Sequence, residues 1–106
     1  MLAKKYKLPI QLFVGKKGQT LKGRHFLFKI FPAEKPFSRF GVIISNKVSK
    51  KAADRNRLRR QLFNIFQTIQ GKLPIADYLV IIYPSVMNLD QNQLKLELIQ
   101  TLIPNI

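Results

Sequence analysis

Apolar residues recur along this chain with two different periods. Leu58, Leu62, Ile65, Phe66 and Ile69 are spaced for one face of a helix, which predicts a helix over residues 50–70. Gly71 is a candidate C-cap for it, and Pro74 bars continuation. Leu94, Leu98 and Leu102 mark a second helix over residues 91–102, with Asn88 or Asp90 as its N-cap. Elsewhere the period is two. Residues 19–31 read as extended, broken at Gly23 into a short strand and a longer one over 24–31. In the longer strand Phe26, Phe28 and Ile30 should face the core, and His25, Leu27, Lys29 and Phe31 should face something wet. A third strand is predicted over 39–45, with Phe40, Val42 and Ile44 on one face. A fourth spans 77–83, where the unbroken run from Tyr78 to Tyr83 reads as a central strand buried on both faces. Pro9 suits the first turn of a short helix over 9–14, closed by the turn Gly15-Lys16-Lys17-Gly18. Residues 32–38, with Pro32 and Pro36, form a connecting loop. The order is α-β-β-β-α-β-α, a sheet covered by helices in one domain over 1–106, with 1–7 as a flexible basic arm.

Charge narrows the partners. Nineteen Lys and Arg oppose five Asp and Glu, a net charge of +14 with an isoelectric point near 10.6, while the 46% hydrophobic content is that of a folded domain. Nucleic acid or an anionic membrane are the main candidates, and an acidic protein is a distant third. There are no cysteines, so disulfide-linked partners and thiolate metal sites are excluded. No apolar run approaches the ~20 residues of a membrane span. The stretch after Lys4, Lys5 and Lys7 is short and broken by Pro9 and Gln11, a poor signal peptide. A cytoplasmic location is expected.

The cations concentrate in residues 45–63, where Lys47, Lys50, Lys51, Arg55, Arg57, Arg59 and Arg60 face one acid, Asp54. At ~100° per residue, Asn56, Arg57 and Arg60 lie opposite the apolar stripe, and Arg55 and Arg59 lie along its edge. A merely solvated helix mixes signs and pairs them four residues apart. Here repulsion has little internal relief and calls for a polyanion. Arginine also suits bidentate phosphate contacts. A membrane-surface helix would need bulky apolar residues free to enter lipid. This stripe is only what a sheet-packing helix requires.

With these elements placed, the chain resembles the protein subunit of bacterial ribonuclease P. The residues that carry the likeness are Lys50-Lys51-Ala52-Ala53-Asp54-Arg55-Asn56-Arg57-Leu58-Arg59-Arg60, the glycine-bearing strand Phe40-Gly41-Val42-Ile43-Ile44-Ser45-Asn46-Lys47, and Asp77-Tyr78-Leu79-Val80-Ile81-Ile82. The resemblance implies an α+β two-layer sandwich on a four-stranded mixed sheet, with a left-handed crossover through the Arg-Asn-Arg helix. It implies an endoribonuclease subunit in which the RNA, using Mg2+, removes the 5′ leader from precursor tRNA while the protein assists. The ribonuclease P RNA contact then falls on Lys50, Lys51, Arg55, Asn56, Arg57, Arg59 and Arg60. The leader cleft falls on Phe13, Leu27, Lys29, Phe31, Ser45, Lys47 and Tyr83, since single strands are held by aromatic stacking beside a cationic groove. The family often carries an aromatic where Lys29 stands, and Phe31 and Tyr83 are the candidates to supply that ring. Phe13 and Phe31 can equally be core. The alternative function is a structural RNA-binding protein such as a ribosomal protein, which composition alone fits equally well.

No catalytic residue of the protein itself is expected. One His and no Cys exclude histidine-pair and thiolate chemistry, and the acids Glu34, Asp54, Asp77, Asp90 and Glu97 are scattered. His25 reads as a strand surface residue and not a ligand. No glycine loop precedes a phosphate-binding lysine.

Overall fold

The computed structural model describes residues 3–13 and 15–103. Four strands, β1 Gln19–Lys22, β2 Phe26–Pro32, β3 Arg39–Ile43 and β4 Ala76–Ile82, form one sheet in the order β1-β2-β4-β3. β1 with β2 and β2 with β4 are antiparallel, whereas β3 and β4 run parallel. The crossover between those parallel neighbours is helix α1, Ala52–Ile69, and helix α2, Gln91–Leu102, follows β4. Short 3-10 turns at Lys4–Tyr6, Ile10–Leu12, Gln70–Lys72 and Pro84–Asn88 complete the chain.

Period-two alternation sends Phe26 and Phe28 of β2, Phe40 and Val42 of β3, and Tyr78, Val80 and Ile82 of β4 to one face. Both helices bury their stripes there: Leu58, Leu62, Ile65, Phe66 and Ile69 from α1, Leu94 and Leu98 from α2. Phe40 lies flat between Phe66, at 4.7 Å and 11°, and Tyr78, at 5.3 Å and 14°. β4 is one of the two interior strands, with β2, as its apolar run predicts. Asp90 caps α2: its Oδ1 accepts from the Gln93 N–H at 2.8 Å, and the Gln93 Oε1 accepts from the Asp90 N–H at 3.0 Å.

The differences from the sequence reading have local causes. β3 ends at Ile43 because Ser45 opens a turn, its carbonyl accepting from the Val48 N–H at 3.0 Å. Gly71 is not a left-handed cap; α1 tightens into the 3-10 turn instead. Gly23 does end β1, since a Cβ there would lie 2.5 Å from the Phe26 ring. The first helix is only the turn Ile10–Leu12, and Val14 lies outside the described residues. In the basic arm, Met1 and Leu2 are outside them too. Lys7 bridges to Phe40 at the edge of β3, and the Leu8 N–H donates to the Phe40 carbonyl at 2.8 Å.

The second sheet face carries a smaller core at one end only. Leu8 and Phe13 cover Phe31 and Leu79, with Ile10 and Ile43 against them. Gly41 makes this possible, because a Cβ there would meet Leu8, Ile10 and Leu79 at 3.1 Å each. Beneath the same turn, Arg39 donates from Nε and Nη2 to the two oxygens of the fully buried Asp77, at 3.0 and 2.9 Å. Those bonds hold the Arg39 guanidinium above its ordinary value against the opposing effect of burial.

Candidate nucleic-acid interface

The approach to α1 is built from Ser49. Its hydroxyl accepts from the Lys51 N–H at 3.2 Å and donates to Asp54 Oδ2 at 3.1 Å. Its carbonyl accepts from Arg55 Nη1 at 2.7 Å. Asp54, in the first turn, also suits the positive end of the helix. Asn56, Arg57 and Arg60 are exposed, as the helical wheel places them, and Arg55 and Arg59 are half-buried along the flank. Their surroundings differ. Arg57 pairs with Asp54 at 3.0 Å, and Arg59 donates to Asn56 Oδ1 at 3.1 Å. Arg55 is held by the loop carbonyl. Lys50, Lys51 and Arg60 have no ion-pair or side-chain hydrogen-bond partner among the described residues. One acid thus serves a helix face that can take several phosphates, with Arg60, on its exposed side, unpaired among the described residues and Arg57 shared with Asp54.

The register defines a second surface on the face away from the helices. Leu27, Ile81 and Ile43 stand opposite one another across β2, β4 and β3. All three are half-buried and form an apolar row left open by the first turn. The next row contains Lys29, opposite Leu79, and the row beyond it is Phe31, Asp77 and Arg39 under the turn. Lys22 pairs with Leu27 and extends the open row with a cation. Ser45 and Lys47 are exposed at the end of β3, and Tyr83 is exposed one residue past β4. Asn46, Lys47 and Lys50, in the loop between β3 and α1, line a shallow hollow of about 350 Å³. The half-open apolar floor with cations at its margins can hold a single strand through its bases and backbone together.

Phe13 and Phe31 occupy this face but are 2% and 3% exposed, with ring centroids 5.1 Å apart. Neither offers a free ring, so they form the closed end of the floor. Tyr83 is the exposed aromatic among the predicted cleft residues. Two floor residues were not identified from sequence, Ile43 and Ile81. Ile81 is hidden in a run apolar at every position, and Ile43 in a strand where Gly41 interrupts the alternation. His25 is not simply on the surface: its Nδ1 lies 2.8 Å from Ser85 Oγ and its Nε2 3.7 Å from Glu97 Oε2, tying the strand start to α2. Among the described residues no three His, Cys, Asp or Glu side chains converge on a metal position, and no helix is long and apolar enough to cross a membrane.

Comparison with known proteins is consistent across sequence and structure. The family model for ribonuclease P matches residues 10–104. A ribonuclease P protein component from a Synechococcus species is 48% identical over 58 residues, covering 53% of this chain and 46% of the relative. One from Idiomarina loihiensis is 34% identical over 71 residues, covering 67% of this chain and 57% of the relative. The matched stretch is thus about half the length of these relatives. Among solved structures, the Thermotoga maritima RNase P protein, in complex with 1-(4-fluorophenyl)-2-thiourea, superposes with a TM-score of 0.81 at 25% identity, over 91% of this chain and 96% of that one. A mutant Staphylococcus aureus RNase P protein with defective mRNA degradation activity has a TM-score of 0.83 at 22% identity, over 93% and 86%. The four-stranded mixed sheet, its two helices and the matched stretch of 10–104 together place this chain in the ribonuclease P protein family.

Proposed function

We propose that the chain is the RNA-binding subunit of ribonuclease P, a tRNA-processing endoribonuclease whose RNA performs the cleavage. The RNA subunit lies along the exposed face of α1 and the preceding loop, against Lys50, Lys51, Asn56, Arg57 and Arg60. Arg55 and Arg59 reach it from the flank. The single-stranded 5′ leader of precursor tRNA occupies the open sheet face, over Leu27, Lys29, Ile43 and Ile81, with Ser45, Lys47 and Tyr83 at its margin and Phe13 and Phe31 closing its end. Mg2+ comes with the RNA, and the protein's part is to neutralise and position the two strands. The site of action is the cytoplasm.

The observation that carries this reading is the run of exposed cations from Lys47 and Lys50 in the loop after β3 onto the α1 face at Arg57 and Arg60, in a chain whose sheet also bears the half-buried apolar row of Leu27, Ile81 and Ile43. The test is reconstitution with a bacterial ribonuclease P RNA at low magnesium. Adding the protein should raise precursor-tRNA cleavage. Cleavage unchanged by the protein would overturn the proposal.

A further inference from the structure

Between α1 and the start of α2 lies a cleft of about 360 Å³ that shares only Arg57 with the proposed RNA surfaces. Its volume is at the small end of ligand pockets, roughly 300–1,000 Å³, and suits one heterocycle. Leu58, Val86 and Leu94 give it a buried apolar floor. Gln61 and Gln91 supply amides that no internal side-chain hydrogen bond among the described residues uses. Met87, 44% exposed, and Arg57 stand at its rim. Arg57 therefore belongs both to this cleft and to the exposed α1 face.

We propose that this cleft receives one nucleobase bearing an exocyclic amine, extruded from the RNA whose backbone lies on α1. The inference rests on the RNA-binding reading above. Two carboxylates line the cleft, Asp54 and Asp90. They repel a phosphate, so the backbone stays at the rim with Arg57, and a neutral group enters. Each carboxylate keeps acceptor capacity beyond its internal bonds, since two oxygens offer about four lone-pair sites. Asp90 Oδ1 takes one from the Gln93 N–H; Asp54 takes one from Ser49 and one from Arg57. The remaining acceptors favour the two-proton exocyclic amine of adenine, cytosine or guanine over uracil, whose N3–H donor sits between two carbonyls that the carboxylates repel. The apolar floor and the Met87 thioether favour a flat ring.

The test uses the full chain and the four nucleoside monophosphates, with inorganic phosphate as a further probe, read by the NMR signals of the Gln61 and Gln91 side-chain amides and the Met87 methyl. AMP, CMP and GMP should shift all three, UMP less, and phosphate only the α1 arginines. Shifts confined to the arginines, or equal for UMP, overturn the proposal. Asp90→Asn keeps an N-cap oxygen but turns an amide donor into the cleft; it should reverse the preference toward UMP, and an unchanged order would count against the cleft. With ribonuclease P RNA, Gln61→Met leaves a polar edge of the base without its amide partner and should weaken binding roughly five- to hundredfold at an unchanged salt slope. Arg60→Ala should lower both affinity and slope. Loss with Arg60→Ala but none with Gln61→Met rejects the cleft alone, whereas no loss with Arg60→Ala rejects the RNA reading beneath it.

Discussion

Asp77 is the residue whose removal the structure prices most clearly. It is fully buried, and both its oxygens accept from Arg39, itself 7% exposed. In Asp77→Leu the Arg39 guanidinium keeps the Phe13 ring, 5.6 Å away, and as a charged partner only Glu34, at 3.5 Å on a half-exposed side chain. An uncompensated buried charge costs about 3–5 kcal/mol. Whole domains are stable by about 5–15 kcal/mol, so the loss is a large fraction of the total. At about 4–8 °C per kcal/mol for a domain of this size, Tm should fall by roughly 12–40 °C. The double variant Arg39→Met/Asp77→Leu removes the charge as well as its partner, and buried pairs replaced by apolar residues of similar volume are often neutral. It should therefore recover most of the loss. Urea melts of the two single variants, the double and the parent form a double-mutant cycle. If Asp77→Leu alone costs under about 1 kcal/mol, or the double is no better than the single, the pair is not the buried, mutually compensating contact described.

Arg60→Ala should lower the log–log salt slope of RNA binding by up to about one unit, and Arg57→Ala should cost less affinity because Asp54 already competes for that guanidinium; equal losses would argue against the pairing. Gly41→Val should destabilise by about 1–3 kcal/mol, since its side chain must displace Leu8 or Ile10, and a melt showing no loss would mean the first turn is not seated on β3. Leu62→Ala, at the centre of the main core, should cost about 2–5 kcal/mol in a chemical melt. Burial raises the Tyr78 hydroxyl above the ordinary 10.0, and that hydroxyl donates to the Pro74 carbonyl at 2.6 Å. The unfolded chain then loses this proton first, so the contribution is intact below the ordinary value and is lost as pH climbs toward the folded one. Tyr78→Phe should remove a late step from the phenolate titration and the matching part of the alkaline loss of stability.

What could be read from the sequence divides along physical lines. Elements set by a repeating period were legible: α1 and α2 by the leucine spacing, and β4 as an interior strand by an apolar run with no polar side. The face of α1 was equally legible, because helical geometry alone separates Asn56, Arg57 and Arg60 from Leu58 and Leu62. The second sheet face was not. Phe31 alternates with the core set of β2 and so reads as wet. It is buried because Leu8 and Phe13 return from far along the chain to cover it, which only the missing Cβ of Gly41 allows. The Arg39–Asp77 pair was invisible for the same reason: its partners are 38 residues apart and meet through the parallel register of β3 and β4.

That long-range packing also explains how the open face can be apolar and yet remain open. The first turn is too short to cover the sheet. Ile10–Leu12 is a single 3-10 turn, and it closes only the rows containing Leu79, Gly41, Phe31 and Arg39. The row of Leu27, Ile81 and Ile43 is left half-buried, since only Ile43 of the three packs against the small core beside it. An apolar row at a sheet centre would ordinarily be covered by a layer of its own. Here its edges are cations: Lys22 and Lys29 beside it, Lys47 at its end. Those charges repel one another and any basic segment of the same protein, so they keep the row clear of the rest of a chain carrying +14. The row suits a ligand that brings negative charge and flat apolar surface together, and the proposed single-stranded leader does both in every residue.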